Sequence, residues 1–301
     1  MKAFTIFGVN VNTNTPWIDQ VTDFRVNAAA NEVLQNAGGL VYNQFVGVGS
    51  QAPALSFSST KLSTILAAIG ITGLKINPSV LAYFQQLQEG GTRLGSTQHV
   101  KMTVSEGIVI PRTISAGMDR PANINLDVIA TYNGTNDPVK FEKQKALAGT
   151  PLADLGFVCG PISINGTPFT GVQDVQVDFG IQPVVQFEDG HVWPKFAAIM
   201  RVQPSITFRC TDMELLQTLG ILGNKQTATN SVVYLRKMDK LGSRAADNVS
   251  EHISFTVDDG RISLESAGGG DGAVADMNVR ITPIYDGTNA PLVIGTAVKI
   301  E

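Results

Sequence analysis

Cysteine is scarce in this chain, with Cys159 and Cys210 the only two among 301 residues. Two thiols cannot build the several bridges that small secreted folds rely on, so a disulfide framework is excluded and reducing or neutral surroundings fit best. Histidine is almost as rare, with His99, His191 and His252 scattered along the sequence. A zinc centre needs three or four Cys, His or carboxylate ligands at workable spacing, which this set does not supply, so no metal site is expected. Charge is thin as well: 16% of residues are Asp, Glu, Lys or Arg, the formal net charge is -4, and Lys and Arg form no run. Affinity for nucleic acid rests on clustered cations that neutralise phosphates, so DNA can be near this protein without being gripped by it. Long apolar runs are also missing. The best stretch, Leu62 to Ile76, is interrupted by Ser63, Thr64, Thr72 and Lys75 and falls short of the roughly 18 apolar residues of a membrane span. Met1-Lys-Ala-Phe-Thr-Ile-Phe7 has one cation but neither a long apolar run nor a cleavage site, and it reads as a mature strand. No Gly-x-x-x-x-Gly-Lys loop is present to cradle a phosphate, and no cofactor is expected.

What the chain does contain is itself, twice. Tyr132-Asn-Gly-Thr-Asn-Asp-Pro138 returns 153 positions later as Tyr285-Asp-Gly-Thr-Asn-Ala-Pro291, and the same shift carries His99 onto His252 and Gly107 onto Gly260. Upstream the shift is 151, pairing Asp23 with Asp174, Gly39 with Gly190, Phe45 with Phe196, Pro53 with Pro204, Phe57 with Phe208 and Tyr83 with Tyr234. A period this long is no solenoid unit of about 20–50 residues but a whole domain. The expected organisation is a repeat over residues 1–148 and a second over 149–301, joined by a linker at about 143–156 where Ala, Gly and Pro displace the strand pattern. At 43% hydrophobic residues the chain can bury two cores. Its neutral remainder, rich in Gly, Asn, Thr, Gln and Ala, has two readings: surface that packs against other subunits, since interface cores are poor in charge, or a soluble β protein of low charge.

Period-two runs dominate, among them Phe4–Val11, His99–Val104, Val172–Val177 and His252–Val257, and they read as half-buried strands. Asn165-Gly, Asp189-Gly, Asp259-Gly and Asp286-Gly punctuate them, since these residues accept positive φ or bond their own backbone. One place in each repeat changes period. Ser59 to Gly70 and Thr211 to Gly220 read as short helices, with Thr60 and Thr211 as caps, the glycines at the exits, and Leu62, Ile65, Leu66 and Ile69 on one apolar face. The fold class is therefore mainly β: two similar sandwich or barrel domains in tandem, each of about eight strands with one short helix.

Candidate chemistry is sparse. His99 and His252 open equivalent strands, but no Ser or Cys nucleophile with an acidic partner repeats around them, so they read as structural and no catalytic residue is assigned. His191 falls opposite Leu40 and Cys159 and Cys210 opposite Ile6 and Ser59, so none belongs to the shared plan. Ala267-Gly-Gly-Gly-Asp-Gly-Ala-Val-Ala-Asp276 faintly resembles calcium-binding turns, but stands alone and reads as a hairpin tip. The sequons at Asn133, Asn165 and Asn248 carry no weight without a secretory signal. The Tyr-x-Gly-Thr-Asn-x-Pro segments read as tight turns, with a recognition loop displayed twice as the alternative. Trp17 and Trp193 suit a core or inter-sheet position better than the aromatic platform of a sugar-binding sandwich.

An enzyme gains little from doubling a domain that carries no site in either copy, so no enzymatic activity is expected. A ring gains more: fusing six similar modules in pairs turns a hexamer into a trimer with pseudo-sixfold symmetry, and a short linker holds the neighbour at millimolar effective concentration. The order of Pro-x-Ile-x-Phe-type strand, short helix ending in Gly-Ile-x-Gly, Tyr-containing strand, His-led strand and Tyr-x-Gly-Thr-Asn-x-Pro, present in both halves, resembles the two-domain tail tube (major tail) proteins of tailed bacteriophages. That resemblance implies a β-sandwich with a flanking helix and homotrimeric rings that stack into a tube. DNA would pass through the lumen without specific binding, other tail proteins would be the remaining partners, and no membrane would be involved. It also implies a place in the virion tail after assembly in the host cytoplasm; the strands that line the bore stay unassigned. The alternatives are a double-barrel viral capsid protein, a baseplate or distal tail component and, in a different class, a two-site carbohydrate-binding adhesin.

Overall fold

The alternating runs become strands because each puts one set of side chains into a core and the other into water. Ile124, Leu126 and Val128 lie on the buried side of their strand, and Asn123, Asn125 and Asp127 on the other. The computed structural model describes residues 2–12, 17–36, 38–39, 41–91, 97–148, 156–214, 226–239, 241–272 and 274–301. The first half runs β1 (Phe4–Val11), β2 (Val21–Asn27), β3 (Ala30–Gln35), β4 (Phe45–Gln51), β5 (Ala54–Ser59), α1 (Leu62–Ile69), β6 (Leu74–Lys75), β7 (Val80–Gln86), β8 (His99–Val104), β9 (Gly107–Gly117), β10 (Asn123–Ala130) and β11 (Val139–Lys145). The second half runs β12 (Gly156–Ile164), β13 (Thr167–Phe169), β14 (Val172–Asp178), β15 (Ile181–Gln186), β16 (Phe196–Val202), β17 (Ser205–Cys210), β18 (Gln226–Thr227), β19 (Ser231–Met238), β20 (His252–Val257), β21 (Gly260–Gly268), β22 (Asp276–Pro283) and β23 (Val293–Val298). The protein is mainly β, with more strands per half than the eight expected. The surplus is the β3–β4 and β15–β16 hairpins, which form separate two-stranded sheets, and the short strands β6, β13 and β18.

Strand for strand, the two halves share one antiparallel pairing scheme. The small sheet β1-β7-β8-β11 is matched by β12-β19-β20-β23, and the run β2-β5-β10-β9 by β14-β17-β22-β21. Short β6 adds to β9 as β18 adds to β21. The isolated bridge Val9–Ile18 stands where β13 pairs with β12. Even the irregularities agree. The ladder slips between Val21 and Asp23 in β2 and between Val172 and Asp174 in β14, and β9 and β21 each carry one extra residue against their partners β10 and β22. Bulges re-aim side chains and are built features of a sheet rather than defects, so their recurrence is informative.

Buried aliphatic and aromatic side chains of both halves form one apolar core, running from Val9, Leu55 and Phe57 through Ile114 and Leu126 to Phe157, Phe208, Phe255 and Ile281. Each fully buried side chain of this size contributes about 1.5–3 kcal/mol. Helix α1 buries Leu62, Ile65, Leu66 and Ile69, the face expected from the sequence, and Gly70 leaves it with φ 67°. Its entry differs from expectation: the cap position is Lys61, with no side-chain cap bond. Thr60 instead donates its hydroxyl to Gln20 Oε1 (2.9 Å), while Ser59 Oγ accepts the Lys61 N–H (3.1 Å). Of the helix expected over Thr211–Gly220, residues 215–220 lie outside the described residues, and the Thr211 hydroxyl donates to the Gly171 carbonyl at 3.2 Å. Strand β11 ends at Lys145 and β12 starts at Gly156, on either side of the expected linker, in which residues 149–155 lie outside the described ones. No helix among the described residues is long and apolar enough to cross a membrane.

Candidate assembly interface

The halves are joined by sheet, not by linker alone. Strand β9 is long: its first part accepts β6, and its last part accepts β14 of the other half, with Thr113 opposite Asp178, Ile114 opposite Val177, Ser115 opposite Gln176, Ala116 opposite Val175 and Gly117 opposite Asp174. Backbone bonds close both ends of the seam, from Met118 N–H to Gln173 O (3.0 Å) and from Phe179 N–H to Arg112 O (3.0 Å). Ile114, Ala116, Val175 and Val177 face the core and are buried. The result is one continuous sheet, β18-β21-β22-β17-β14-β9-β10-β5-β2, with β6 beside β9. Its outer strands among the described residues are β2 at one end and β21, carrying only the two-residue β18, at the other. Under the shared scheme β2 is the equivalent of β14, and β21 of β9. The free edges are thus a second set of the two edges that make the internal seam.

Beside the seam, the face of this sheet turned away from the core carries arginines paired with carboxylates, while Ile108 and Ile110 on the same face of β9 are apolar and buried. Asp174 takes Arg120 at 3.1 Å and Arg209 at 2.9 Å, and Arg209 reaches on to Asp276 at 3.6 Å. Arg112 binds Asp127 at 2.7 Å, and Arg280 reaches Glu265 at 3.5 Å. A side chain at Gly117 would meet Arg120 Cγ at 2.9 Å and Asp174 Oδ1 at 3.1 Å, so glycine there lets Arg120 fold across the seam. Exposed pairs of this kind contribute about 0–1 kcal/mol each. Their consequence here is for charge: these four guanidinium groups are held by carboxylates rather than left open to a phosphate backbone.

A clasp lies over the seam. The hairpin β15–β16 of the second half leans on β9 of the first, and the turn between its strands reaches past it. Gln51 N–H donates to Val192 O at 2.7 Å, and Tyr132 N–H to Pro194 O at 2.7 Å. The Tyr132 ring lies 5.3 Å from Trp193 and 5.5 Å from His191, both tilted. His191 and Trp193, private to the second repeat by sequence, are therefore junction residues. Trp193 sits in the turn rather than in a strand, and Trp17 packs between Phe7 and Tyr83 at 5.8 and 5.4 Å.

The remaining sequence candidates have structural employment. His99 and His252 are fully buried, and each accepts a backbone N–H on Nδ1 at 3.1 Å, from Gln86 and from Lys237. His252 Nε2 also faces Ala246 O at 3.0 Å. Burial, with the nearby Asp174 and Cys210 adding to it, pushes the Cys159 thiol up to about 12, and burial raises Cys210 too. Neither is a thiolate nucleophile at neutral pH. Asn133 and Asp286 each cap their own turn, accepting from Thr135 and Asn136 (3.0 and 2.8 Å) and from Thr288 and Asn289 (2.7 and 2.6 Å). Those bonds, led by the Asn289 and Thr288 amides, hold the Asp286 carboxyl below its usual range. The Tyr-x-Gly-Thr-Asn segments are thus tight turns whose glycines, Gly134 and Gly287, take φ 87° and 95°, and the glycine-rich stretch from Ala267 ends β21 and leads to β22. No group of three His, Cys, Asp or Glu among the described residues is placed to hold a metal ion. The seam and the clasp were both missed by sequence reasoning, although one signal bore on the clasp: Trp193 and its equivalent Tyr42 are both aromatic in segments that also carry turn residues. No protein-family model matches the chain, and no curated protein matches it as a relative.

Proposed function

We propose that this chain is a tail tube subunit: three copies close a pseudo-hexameric ring, rings stack, and DNA passes through the bore without being specifically bound. The observation that carries this reading is the seam between β9 and β14. It joins two equivalent half-sheets edge to edge in a head-to-tail sense and leaves β2 and β21, the equivalents of those same edges, outermost. A head-to-tail contact repeated from copy to copy closes into a ring or runs on as a filament. The operation that carries the first half onto the second would carry one chain onto the next. An edge strand left open is an aggregation hazard that proteins cover or pair, and pairing with another copy of the same chain resolves it here.

The dimensions suit a conduit. Each half contributes β2, β5, β10 and β9 or their equivalents to the continuous sheet. Six halves then give a barrel of about 24 strands, roughly 37 Å across at the backbone for a strand spacing near 4.8 Å and wider once strands tilt by about 35–45°. Its inner wall would include the stretch of outward face where Arg112, Arg120, Arg209 and Arg280 are already paired with carboxylates, a surface suited to letting a polyanion slide. Negative-stain microscopy of the purified chain tests the reading. Stacked hollow rings built from multiples of three chains are the expected result; closed shells would favour the double-barrel capsid alternative, and isolated particles at high concentration would overturn ring formation.

A further inference from the structure

The hairpins β3–β4 and β15–β16 correspond residue for residue at a shift of 151, down to the slip after Asn31 and after Gln182. Only the second is covered. Ala197 and Ile199 of β16 are packed against the core, whereas their equivalents Val46 and Val48 are 65% and 48% exposed. Every residue of β3 is exposed. At the tip, Tyr42 stands where Trp193 does in the other half and is 82% exposed. Apolar side chains concentrated on a projecting arm are the mark of an interaction surface.

The complementary surface is on the second half of the same molecule, at β17 and β22. Ile284 and Tyr285, equivalents of Thr131 and Tyr132, are 50% and 63% exposed. With Val202, Pro204 and Pro291 they line an open cleft of about 470 Å³. In the first half the matching walls are Gln51, Pro53, Tyr132 and Pro138, and there the place is taken by the turn Val192–Pro194 through its two backbone bonds and the Tyr132–Trp193 contact. The protein thus holds a filled copy of the socket and an empty one, and a docked copy of the arm and a free one.

We propose that the β3–β4 arm of one chain docks in the cleft beside Tyr285 of a second copy, with the Tyr42 ring on the Tyr285 ring and the Val41 and Asn43 carbonyls accepting from the Val202 and Tyr285 amides. The proposal rests on the ring reading above and adds to it a clasp at each boundary between chains. The partner is another copy of this chain because the internal clasp already displays the fit, and because the arm follows the outermost strand β2 whereas the socket is built on β17 and β22 of the other half-sheet, beyond the seam.

Paired cysteines test it. Val41 and Val202 are the equivalents of Val192 and Gln51, whose backbone bond of 2.7 Å brings the two residues within the roughly 4.4–6.8 Å Cα separation a disulfide needs. The native thiols of Cys159 and Cys210 are buried and do not compete. Mild oxidation of the assembled Val41→Cys/Val202→Cys protein is expected to give covalent dimers and trimers on a non-reducing gel, with neither single variant doing so. Rings in the microscope without cross-linking of the double variant would overturn the clasp while leaving the ring reading intact. A cross-link confined to single chains would overturn it too, by placing the arm on its own molecule. Absence of rings from the unmodified protein would overturn both. As a second readout that leaves the fold alone, Tyr42→Ser is expected to raise the concentration for half-maximal assembly about tenfold with an unchanged single-chain melting temperature; an unchanged assembly curve would refute the docking.

Discussion

The same substitution made at Tyr132 and at Tyr285 is expected to have opposite consequences for the free chain and for the assembly. Tyr132 lies under the internal clasp, half-buried, with ring contacts to Trp193 and His191 at 5.3 and 5.5 Å. Truncation to alanine removes roughly 100 Å² of buried apolar surface, half of what a large aromatic buries, or about 2.5 kcal/mol at 25 cal/mol per Å². Losing the aromatic contacts adds about 0.5–1.5 kcal/mol. A total of about 3–4 kcal/mol is a large share of a stability of about 5–15 kcal/mol, and at 2–4 °C per kcal/mol it lowers the melting temperature by roughly 6–15 °C. Tyr285 is 63% exposed in the single chain, and Tyr285→Ala is expected to stay within about 0.5 kcal/mol of the parent. In the proposed rings the order is expected to reverse, because Tyr285 would then occupy the position Tyr132 holds within the chain. The assay is thermal unfolding of dilute single chains, verified by sedimentation, beside assembly titrations of both variants. Equal destabilisation of the free chain by the two substitutions, or a harmless Tyr132→Ala, would refute the argument that the clasp is what distinguishes them.

Ile65→Asp places a carboxyl in the fully buried face of α1 and is expected to cost more than the roughly 2–5 kcal/mol of a truncation to alanine; normal thermal stability would show that this face is not buried. The Lys61–Asp19 pair, 3.0 Å long with side chains 10% and 2% exposed, predicts a loss of about 3–5 kcal/mol for Lys61→Met, largely recovered when Asp19→Leu is added; denaturant midpoints of the single and double variants decide it. The Glu142 carboxyl is held down to about 2 by hydrogen bonds from Lys101 first and Lys145 second. Its contribution is complete above the ordinary glutamate value near 4.5 and is lost as the pH falls from there through 2. Amide protection along β11 should therefore decline over that interval in the parent and lose this dependence in Glu142→Gln. Ala29 has φ 43° where its equivalent Gly180 has φ 58°, so Ala29→Gly is expected to stabilise the chain by about 0.5–1 kcal/mol, relief of left-handed strain outweighing the entropy of glycine; a lower unfolding midpoint would contradict this.

Local pattern carried the elements and left the joints hidden. The runs Phe4–Val11, His99–Val104 and His252–Val257 were legible because one residue in two had to enter a core, and their observed bounds match β1, β8 and β20. The face of α1 was legible for the corresponding reason at helical period, but its cap was not: Thr60 finds Gln20, forty positions away in the sequence, a better partner than the helix start. The seam was illegible because nothing in Ile114-Ser-Ala-Gly117 separates a strand paired on two sides from one paired on one. Both burial patterns alternate alike, and only the partner differs. The clasp was hidden for another reason. Tyr132 and Tyr285 sit in nearly identical sequences, and their environments diverge only through which hairpin has reached them.

Divergence between the halves is itself informative at one position of the seam. Arg112 binds Asp127 at 2.7 Å, and its equivalent Glu265 faces Arg280, the equivalent of Asp127, at 3.5 Å. The pair is kept and its sign is reversed. Arg112 does a second task that Glu265 cannot copy, donating Nη1–H to the Ile181 carbonyl at 2.7 Å across the seam, since a carboxylate accepts hydrogen bonds and offers none. Ala30 is the equivalent of Ile181 on β3, so at a boundary between chains Glu265 would meet a carbonyl it can only repel. In the proposed ring, a boundary formed by β21 and β2 would thereby be weaker than the internal seam at this point, and the two kinds of contact would not be interchangeable. For a fused pair of modules in such a ring that would be the advantage of fusion: the inner contact forms first at high effective concentration, and the outer one, tuned separately, would be left for assembly.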